Sequence, residues 1–345
     1  MANPTIKDVA REAGVSIATV SRVLNKKGSV KEDAVRNVLQ AIDRLGYHPN
    51  SIARTLKNDS SKTIGLVVTD ISNDFFTRMA RGIEDVLSDR GYNLFVCSTD
   101  GLQQREAQCL SLLREKQVDG IILNASGKNS ELITKMSSQV PFALFSRKIP
   151  DPAFRGDFVD NDNYSGLREL TAQLLRLGHR KIGFINGQEY ISSAAERFSG
   201  FQSAMRDAGL EIGPDYPYLY SGSFNRLNSG KEGARVLWEK GVTAIICGNN
   251  LLALGAMQFC KEAGLRLPAD LSLCSFGTLA NQDLLFVRPT SCEQNPDAMG
   301  ARLAELIIER IESKNQIPNR EIRFTTTILP GNGVGAPRDS GKDTL

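Results

Sequence analysis

The sequence predicts an all-α helix-turn-helix headpiece followed by an α/β core of two doubly wound parallel-sheet lobes. Three observations predict it. A helical apolar period broken at Gly14 opens the chain, the polar stretch Asn58-Asp59-Ser60-Ser61-Lys62 interrupts the pattern, and beyond it short apolar runs alternate with amphipathic helices. The expected domains are 1–48, the headpiece; 49–62, a short helix and linker; 63–335, the two-lobed core; and 336–345, a polar, frayed tail.

In the headpiece, Thr5 and Asp8 form a capping box, in which an N-cap hydroxyl and a carboxylate satisfy the first helical amides. Ile6, Val9, Ala10 and Ala13 give the helical stripe that follows, and Gly14 ends it with a positive φ that costs glycine little. Ser16 caps a second helix with Ile17, Ala18 and Arg22 outward and Val20, Val23 and Leu24 inward. Ser29 with Glu32 reads as a second capping box. It precedes a third helix with Val35, Val38, Leu39, Ile42 and Leu45 inward and Gly46 at its end. The competing reading of this pattern is a generic three-helix bundle with Arg22 merely solvating a face. Asn50 to Lys57 reads as a separate helix after Pro49, too short for independent stability and so expected to fold on DNA. Its competing reading is an ordinary linker.

In the core, strands are expected at Ile64–Val68, Leu94–Cys97, Gly120–Leu123 and Phe142–Phe145, with helices Phe75–Arg90, Gln103–Lys116 and Ser130–Ser138 between them. A second run in tandem starts after Val159. It comprises helix Tyr164–Leu177, strand Ile182–Ile185, helices Ala194–Ala208 and Ser229–Lys240, strand Ala244–Cys247 and helix Leu251–Ala263. Strand Leu271–Phe276, the stretch 290–292, helix Ala298–Glu312 and a strand Ile322–Leu329 complete it.

Charge is uneven. Residues 1–62 hold eleven Lys/Arg against six Asp/Glu, a net +5 that leaves −2 for the remainder of a chain whose total is +3. A basic excess confined to a small helical module suits nucleic acid. The six cysteines show no C-x-x-C spacing and the chain has two histidines, so no metal or other cofactor is expected and the thiols read as small buried hydrophobes. No run of about 18 apolar residues and no secretory leader is present, which suggests a cytoplasmic protein. An enzyme would need G-x-G-x-x-G after the first strand or a nucleophile elbow. Ile64 to Asp70 lacks the former, and Gly331-Asn332-Gly333-Val334-Gly335 has no helix after it, so no enzyme is expected.

The stretches 5–16 and 18–25, then Leu45-Gly46-Tyr47-His48-Pro49-Asn50 and Ala53-Arg54-Thr55-Leu56, resemble the N-terminal signature of the lactose/galactose repressor (LacI/GalR) family. The resemblance continues through Asn73-Asp74-Phe75-Phe76, Asp162-Asn163-Tyr164-Ser165-Gly166, residues 177–182, residues 196–201 and Ala253-Leu254-Gly255-Ala256. It implies a homodimeric, DNA-binding repressor that reads a palindromic double-stranded operator, with a periplasmic-binding-protein-like core taking a small-molecule effector. It also implies that Ile17 and Ala18 discriminate bases while Arg22 reads guanine; the chemistry is a guanidinium fork matching guanine O6 and N7. Thr5, Ser16, Thr19, Ser21 and Asn25 suit phosphate contacts. By the same resemblance Asn50, Ala53 and Leu56 belong to a hinge helix that enters the minor groove, with Leu56 as the apolar wedge.

Ligands of open α/β sheets bind beyond the carboxyl ends of the strands. That rule selects Asp70 to Phe76, Asn124 to Ser126, Ser146-Arg147, Asp160 to Asn163, Asn186 to Ser193, Cys247 to Asn250 and Phe276 to Thr278. Within and beside them we single out Phe75, Phe76, Ser146, Arg147, Ser193, Arg197, Phe224, Asn249, Asn250 and Gly277 as effector-binding. For any one of these a plain loop role competes. The resemblance implies Arg197 against the effector with Phe76 or Phe224 beside it.

Departures from the family pattern inform the ligand. Asn249-Asn250 stands for its N-D, Ser275-Phe276-Gly277-Thr278 for its G-F-D-D, and Ser146-Arg147 for its frequent Asp-Arg. Loss of these aspartates beside two arginines shifts the expected effector from a neutral sugar toward a sugar acid or sugar phosphate, unless Asp157, Asp160 or Asp162 restores negative charge. The alternative is a core that answers mainly to a protein partner such as a phosphocarrier protein.

Overall fold

The computed structural model describes residues 4–24, 30–47, 60–213, 216–313 and 315–338. The chain divides into two compact units, one ending at Ser61 and the other beginning at Lys62.

The first unit contains α1 (Ile6–Glu12), α2 (Ile17–Leu24) and α3 (Glu32–Leu45). The Asp8 carboxylate accepts the Thr5 amide at 2.9 Å and the Thr5 hydroxyl at 2.7 Å, which fixes the start of α1. Gly14 (φ +63°) turns the chain into α2, where the Ser16 hydroxyl accepts the Thr19 amide at 3.1 Å. Val9, Ala10, Ala13, Val20, Val38, Ala41 and Tyr47 form the buried core of this unit. Two expectations fail. The N-cap of α3 is Lys31, so Glu32 is its first residue rather than the third-residue partner of a capping box; Ser29 lies outside the described residues. Leu39 is 54% exposed, because Val38, Ala41, Ile42 and Leu45 already form the stripe at helical spacing and Leu39 stands one step around the helix from it.

The second unit has two six-stranded sheets. In chain order its elements are β1 (Thr63–Val68), α4 (Asp74–Asp89), β2 (Asn93–Ser98), α5 (Gln103–Glu115), β3 (Gly120–Leu123), α6 (Ser130–Ser137), β4 (Phe142–Phe145) and β5 (Asp157–Asn161). Then come α7 (Asn163–Arg176), β6 (Ile182–Asn186), α8 (Ser192–Asp207), β7 (Leu219–Ser221), α9 (Leu227–Glu239), β8 (Ala244–Cys247) and α10 (Asn250–Glu262). Strands β9 (Ser272–Phe276) and β10 (Thr290–Glu293), helix α11 (Pro296–Glu312), and strands β11 (Glu321–Phe324) and β12 (Thr327–Leu329) finish the unit.

The first sheet runs β11-β5-β4-β3-β1-β2 and is parallel throughout. The second runs β12-β10-β9-β8-β6-β7, parallel except for the antiparallel β10–β12 pair. The same spatial order in both places the carboxyl ends of the strands, with the loops that follow them, at corresponding positions of the two lobes.

The lobes are not consecutive along the chain. It passes from the first to the second at 162, back at 294–295 and over again at 325–326. Helix α11, expected in the second run, packs in the first lobe, with Met299, Leu303 and Ile307 against Met79 and Ile83 of α4. Gly82 and Gly300 make that approach possible, since a Cβ on either would strike a backbone carbonyl of the facing helix. The expected strand Ile322–Leu329 is cut in two: β11 pairs with β5 in one sheet and β12 with β10 in the other. Strands β5 and β7 were not anticipated. Residues 336–338 are anchored rather than frayed, with the Arg338 guanidinium 4.1 Å from the Trp238 ring centroid.

Candidate functional site

On α2 the outward residues are Ile17, which is 45% exposed, together with Ala18 and Arg22, while Val20 is buried. Among the described residues Arg22 is in no ion pair, so its guanidinium stands on the surface uncommitted to a carboxylate. Ser16 and Thr19 are partly engaged with each other, their hydroxyls 2.9 Å apart, and the Thr5 hydroxyl is held by Asp8. Ser21 is half-buried on the same helix. The expectations for Asn25, Asn50, Ala53 and Leu56 lie outside the described residues.

In the core the strand ends converge on one interlobe cavity of about 50 Å³. Its first-lobe wall includes Phe75 and Phe76 at the start of α4 and Ser146-Arg147 after β4. Its second-lobe wall includes Ser193 and Arg197 on α8, Phe224, and Asn249-Asn250 at the start of α10. Nine of the ten effector residues chosen from sequence therefore line one space. Gly277 does not: at φ +93° it turns the loop, and Gln294 lines the cavity instead. Asn73, Asn124, Asn225 and Gln294 complete the lining. Asn225 and Gln294 escaped the strand-end rule because β7 was not read at all and 290–292 was left without a type.

Arg197 is 5% exposed and stacks 4.0 Å from the Phe276 ring and 5.4 Å from the Phe224 ring. Its Nε donates to Asn163 Oδ1 at 2.9 Å and its Nη1 to the Gly248 carbonyl. Burial pushes its pKa down to about 10, against the pull of Asp160, so it stays cationic at neutral pH. Arg147, 7% exposed, is likewise pushed down to about 10 by burial, with Glu106 and Tyr190 opposing and the Arg197 charge adding to the shift. It donates to the Ala125 carbonyl at 3.3 Å, and among the described residues neither arginine has a carboxylate within 4 Å. Ser146 holds φ +56° while the Arg147 amide donates to the Phe145 carbonyl at 2.7 Å, a tight three-residue turn of the strained kind found at binding sites.

Two residues of the cavity wall carry buried polar atoms without a hydrogen-bond partner among the described residues. Asn124 Oδ1 and Ser146 Oγ are buried and unpartnered among the described residues, an arrangement that costs free energy unless a ligand or water completes it. Of the three aspartates that could restore negative charge, Asp157 is bound by Arg310 and Arg320, and Asp162 caps α7 through the Ser165 amide. Asp160 is fully buried, outside the cavity lining, and burial pushes it up to about 6 against the opposing charges of Arg197 and Arg323. A helix-turn-helix headpiece and a two-lobed α/β core with a cavity between its lobes are the parts of a ligand-binding transcription regulator.

Comparison with known proteins agrees. Residues 5–50 match the family model described as bacterial regulatory proteins, lacI family, and residues 61–329 match that of periplasmic binding proteins and the sugar binding domain of the LacI family. The chain belongs to the LacI family of transcriptional repressors, whose members are not enzymes. It is 33% identical over 314 residues to the HTH-type transcriptional repressor PurR of Aliivibrio salmonicida (strain LFI1238), covering 90% of this chain and 93% of the relative. It is 35% identical over 315 residues to the ribose operon repressor of Halalkalibacterium halodurans, covering 90% and 91%. Among solved structures, the lac repressor dimer bound to operator and the anti-inducer ONPF superposes with a TM-score of 0.82 over 97% of this chain and 100% of that one; at 21% identity it speaks to fold alone. Repressors of this family bind DNA operators and small-molecule effectors and act as dimers. No described helix is long and apolar enough to cross a membrane.

Proposed function

We propose that this repressor is controlled by a small anionic sugar, a sugar acid or sugar phosphate, bound between the lobes. The observation that carries the reading is the cavity wall: two buried arginines, six asparagine or glutamine side chains and no carboxylate. A buried carboxylate ligand is paired by guanidinium and would be repelled by the aspartates that the family usually has here. The N-termini of α4, α8 and α10 lie at the cavity and add positive partial charge. Phe75, Phe76 and Phe224 supply the apolar platform for a sugar ring.

At about 50 Å³ the space holds a water or two and not a hexose, so admission of the ligand requires the lobes to part. Lobe movement then acts on operator binding, a coupling worth about 1–3 kcal/mol in typical allosteric proteins. On the DNA side, Arg22 reads guanine, Ile17 and Ala18 set the operator preference, and a dimer spans a palindrome in the cytoplasm. Calorimetric titration of the full chain with D-gluconate, D-galacturonate and ribose 5-phosphate, against neutral ribose and galactose, tests the ligand class. Binding of a neutral sugar with none of the anions would overturn it.

A further inference from the structure

Asn163, the first residue of α7, is wholly buried at the place where the chain crosses from the first lobe to the second. Its side-chain amide has every strong direction filled. Nδ2 donates to Asp160 Oδ2 at 2.7 Å and to Glu196 Oε2 at 2.9 Å, while Oδ1 accepts Arg197 Nε at 2.9 Å. Asp160 is the last residue but one of β5 in the first lobe, and Glu196 sits on α8 in the second, where it also takes a bidentate pair from Arg323 of β11 at 2.7 and 2.8 Å. Two carboxylates therefore stand near the cleft arginine, yet neither touches it, because the Asn163 amide lies between.

We infer that Asn163 is the positioning residue of Arg197: by bonding Asp160 and Glu196 itself, it keeps them from capturing the guanidinium and leaves Arg197 facing the cavity. An amide is the side chain for this post, since it presents an acceptor to a cation and donors to anions at once. Alanine would present neither. With the amide gone, a buried guanidinium beside buried carboxylates moves onto them, for an unpaired buried charge is the costlier arrangement. Arg197 then withdraws from the ligand. The inference rests on the anionic-ligand reading for its consequence but not for its geometry.

The test uses the full chain labelled with 15N-arginine, with the Arg197 Nε–H signal assigned by its loss in Arg197→Lys. In the unaltered chain this proton shows a nuclear Overhauser contact to the Asn163 side-chain amide and exchanges slowly with solvent. Absence of that contact overturns the inference, whichever sugar binds. In Asn163→Ala the signal shifts, and affinity for whichever of D-gluconate and D-galacturonate binds the unaltered chain falls about tenfold or more. In Asn163→Ala with Asp160→Asn the Asp160 carboxylate is gone, and part of the affinity returns, which a merely structural role of Asn163 does not produce. An unchanged Arg197 signal in Asn163→Ala, or further loss instead of recovery in the double variant, overturns the inference. If none of D-gluconate, D-galacturonate and ribose 5-phosphate binds the unaltered chain, the ligand reading fails and the Arg197 signal alone decides this one.

Discussion

Asn73 and Asn250 clasp the two lobes across the cleft with a reciprocal amide pair. Asn73 Nδ2 donates to Asn250 Oδ1 at 3.2 Å, and Asn250 Nδ2 donates back to Asn73 Oδ1 at 3.0 Å. Asn73 caps α4 through the Phe75 amide, and Asn250 opens α10, so the clasp joins two rigid helices directly. A second bond, from the Lys148 amide to Ser192 Oγ at 2.9 Å, supports it.

Asn250→Ala removes both bonds of the clasp without touching the core, at a net cost of about 1–3 kcal/mol to the closed arrangement. The ligand-free chain should then open. Small-angle scattering reads this as a larger radius of gyration than that of the unaltered chain, and an unchanged radius would show that other contacts hold the lobes.

Arg147 lines the cavity with no ion pair among the described residues, so on the proposed reading its charge serves the ligand. Arg147→Ala should weaken binding of a sugar acid by about 1.5–3 kcal/mol, the range for a hydrogen bond to a charged group. Ser146→Asp, which restores the family's usual carboxylate, should weaken acids and spare neutral sugars. Calorimetry with matched pairs, such as D-galacturonate and D-galactose, reads both.

Arg22→Ala should cost about 1–3 kcal/mol in operator affinity and relax preference at one base pair in each half-site. Fluorescence anisotropy over a set of single-base operator variants measures it. Uniform weakening across the set would make Arg22 a phosphate contact.

His179 is buried, with Nε2 donating to the Gly335 carbonyl at 2.9 Å and Nδ1 accepting the Thr243 hydroxyl at 2.8 Å. Burial holds its pKa below the ordinary 6.5. A base with a lowered folded pKa binds fewer protons folded than unfolded, so its stability contribution is present above 6.5 and is lost as pH falls through that value. Asp160, held high at about 6, moves stability the other way, but it is common to both proteins compared. The melting temperature of the unaltered chain should therefore drop more between pH 8 and pH 5 than that of His179→Gln.

Gly300→Ala places a methyl group against the Met79 carbonyl, where α11 meets α4. Overpacking of this kind costs about 1–3 kcal/mol. Urea denaturation should show a lower midpoint, and an unchanged midpoint would mean that the helices slide apart at little cost.

Periodicity, capping residues and glycine stops lay open in the sequence, because they act over a few neighbouring residues. The three helices of the headpiece, the outward face at Ile17, Ala18 and Arg22, and most core strands and helices were legible for that reason. The strand-end rule even gathered nine cavity residues from five of its seven loops, since a parallel sheet brings its carboxyl ends together whatever lies between them. What the pattern leaves open is which sheet an element joins. Helix α11 has an apolar stripe that fits either lobe, and Ile322–Leu329 reads as one strand until backbone pairing with β5 and β10 divides it. Nor does sequence show who bonds to whom: the Asn73–Asn250 clasp spans 177 residues, and the separation of Arg197 from Asp160 by Asn163 arises where segments from two lobes meet. Local sequence thus determined the elements and the chemistry at their ends. Tertiary packing alone decided which charges meet and which are kept apart, because burial and pairing depend on neighbours far away in the chain.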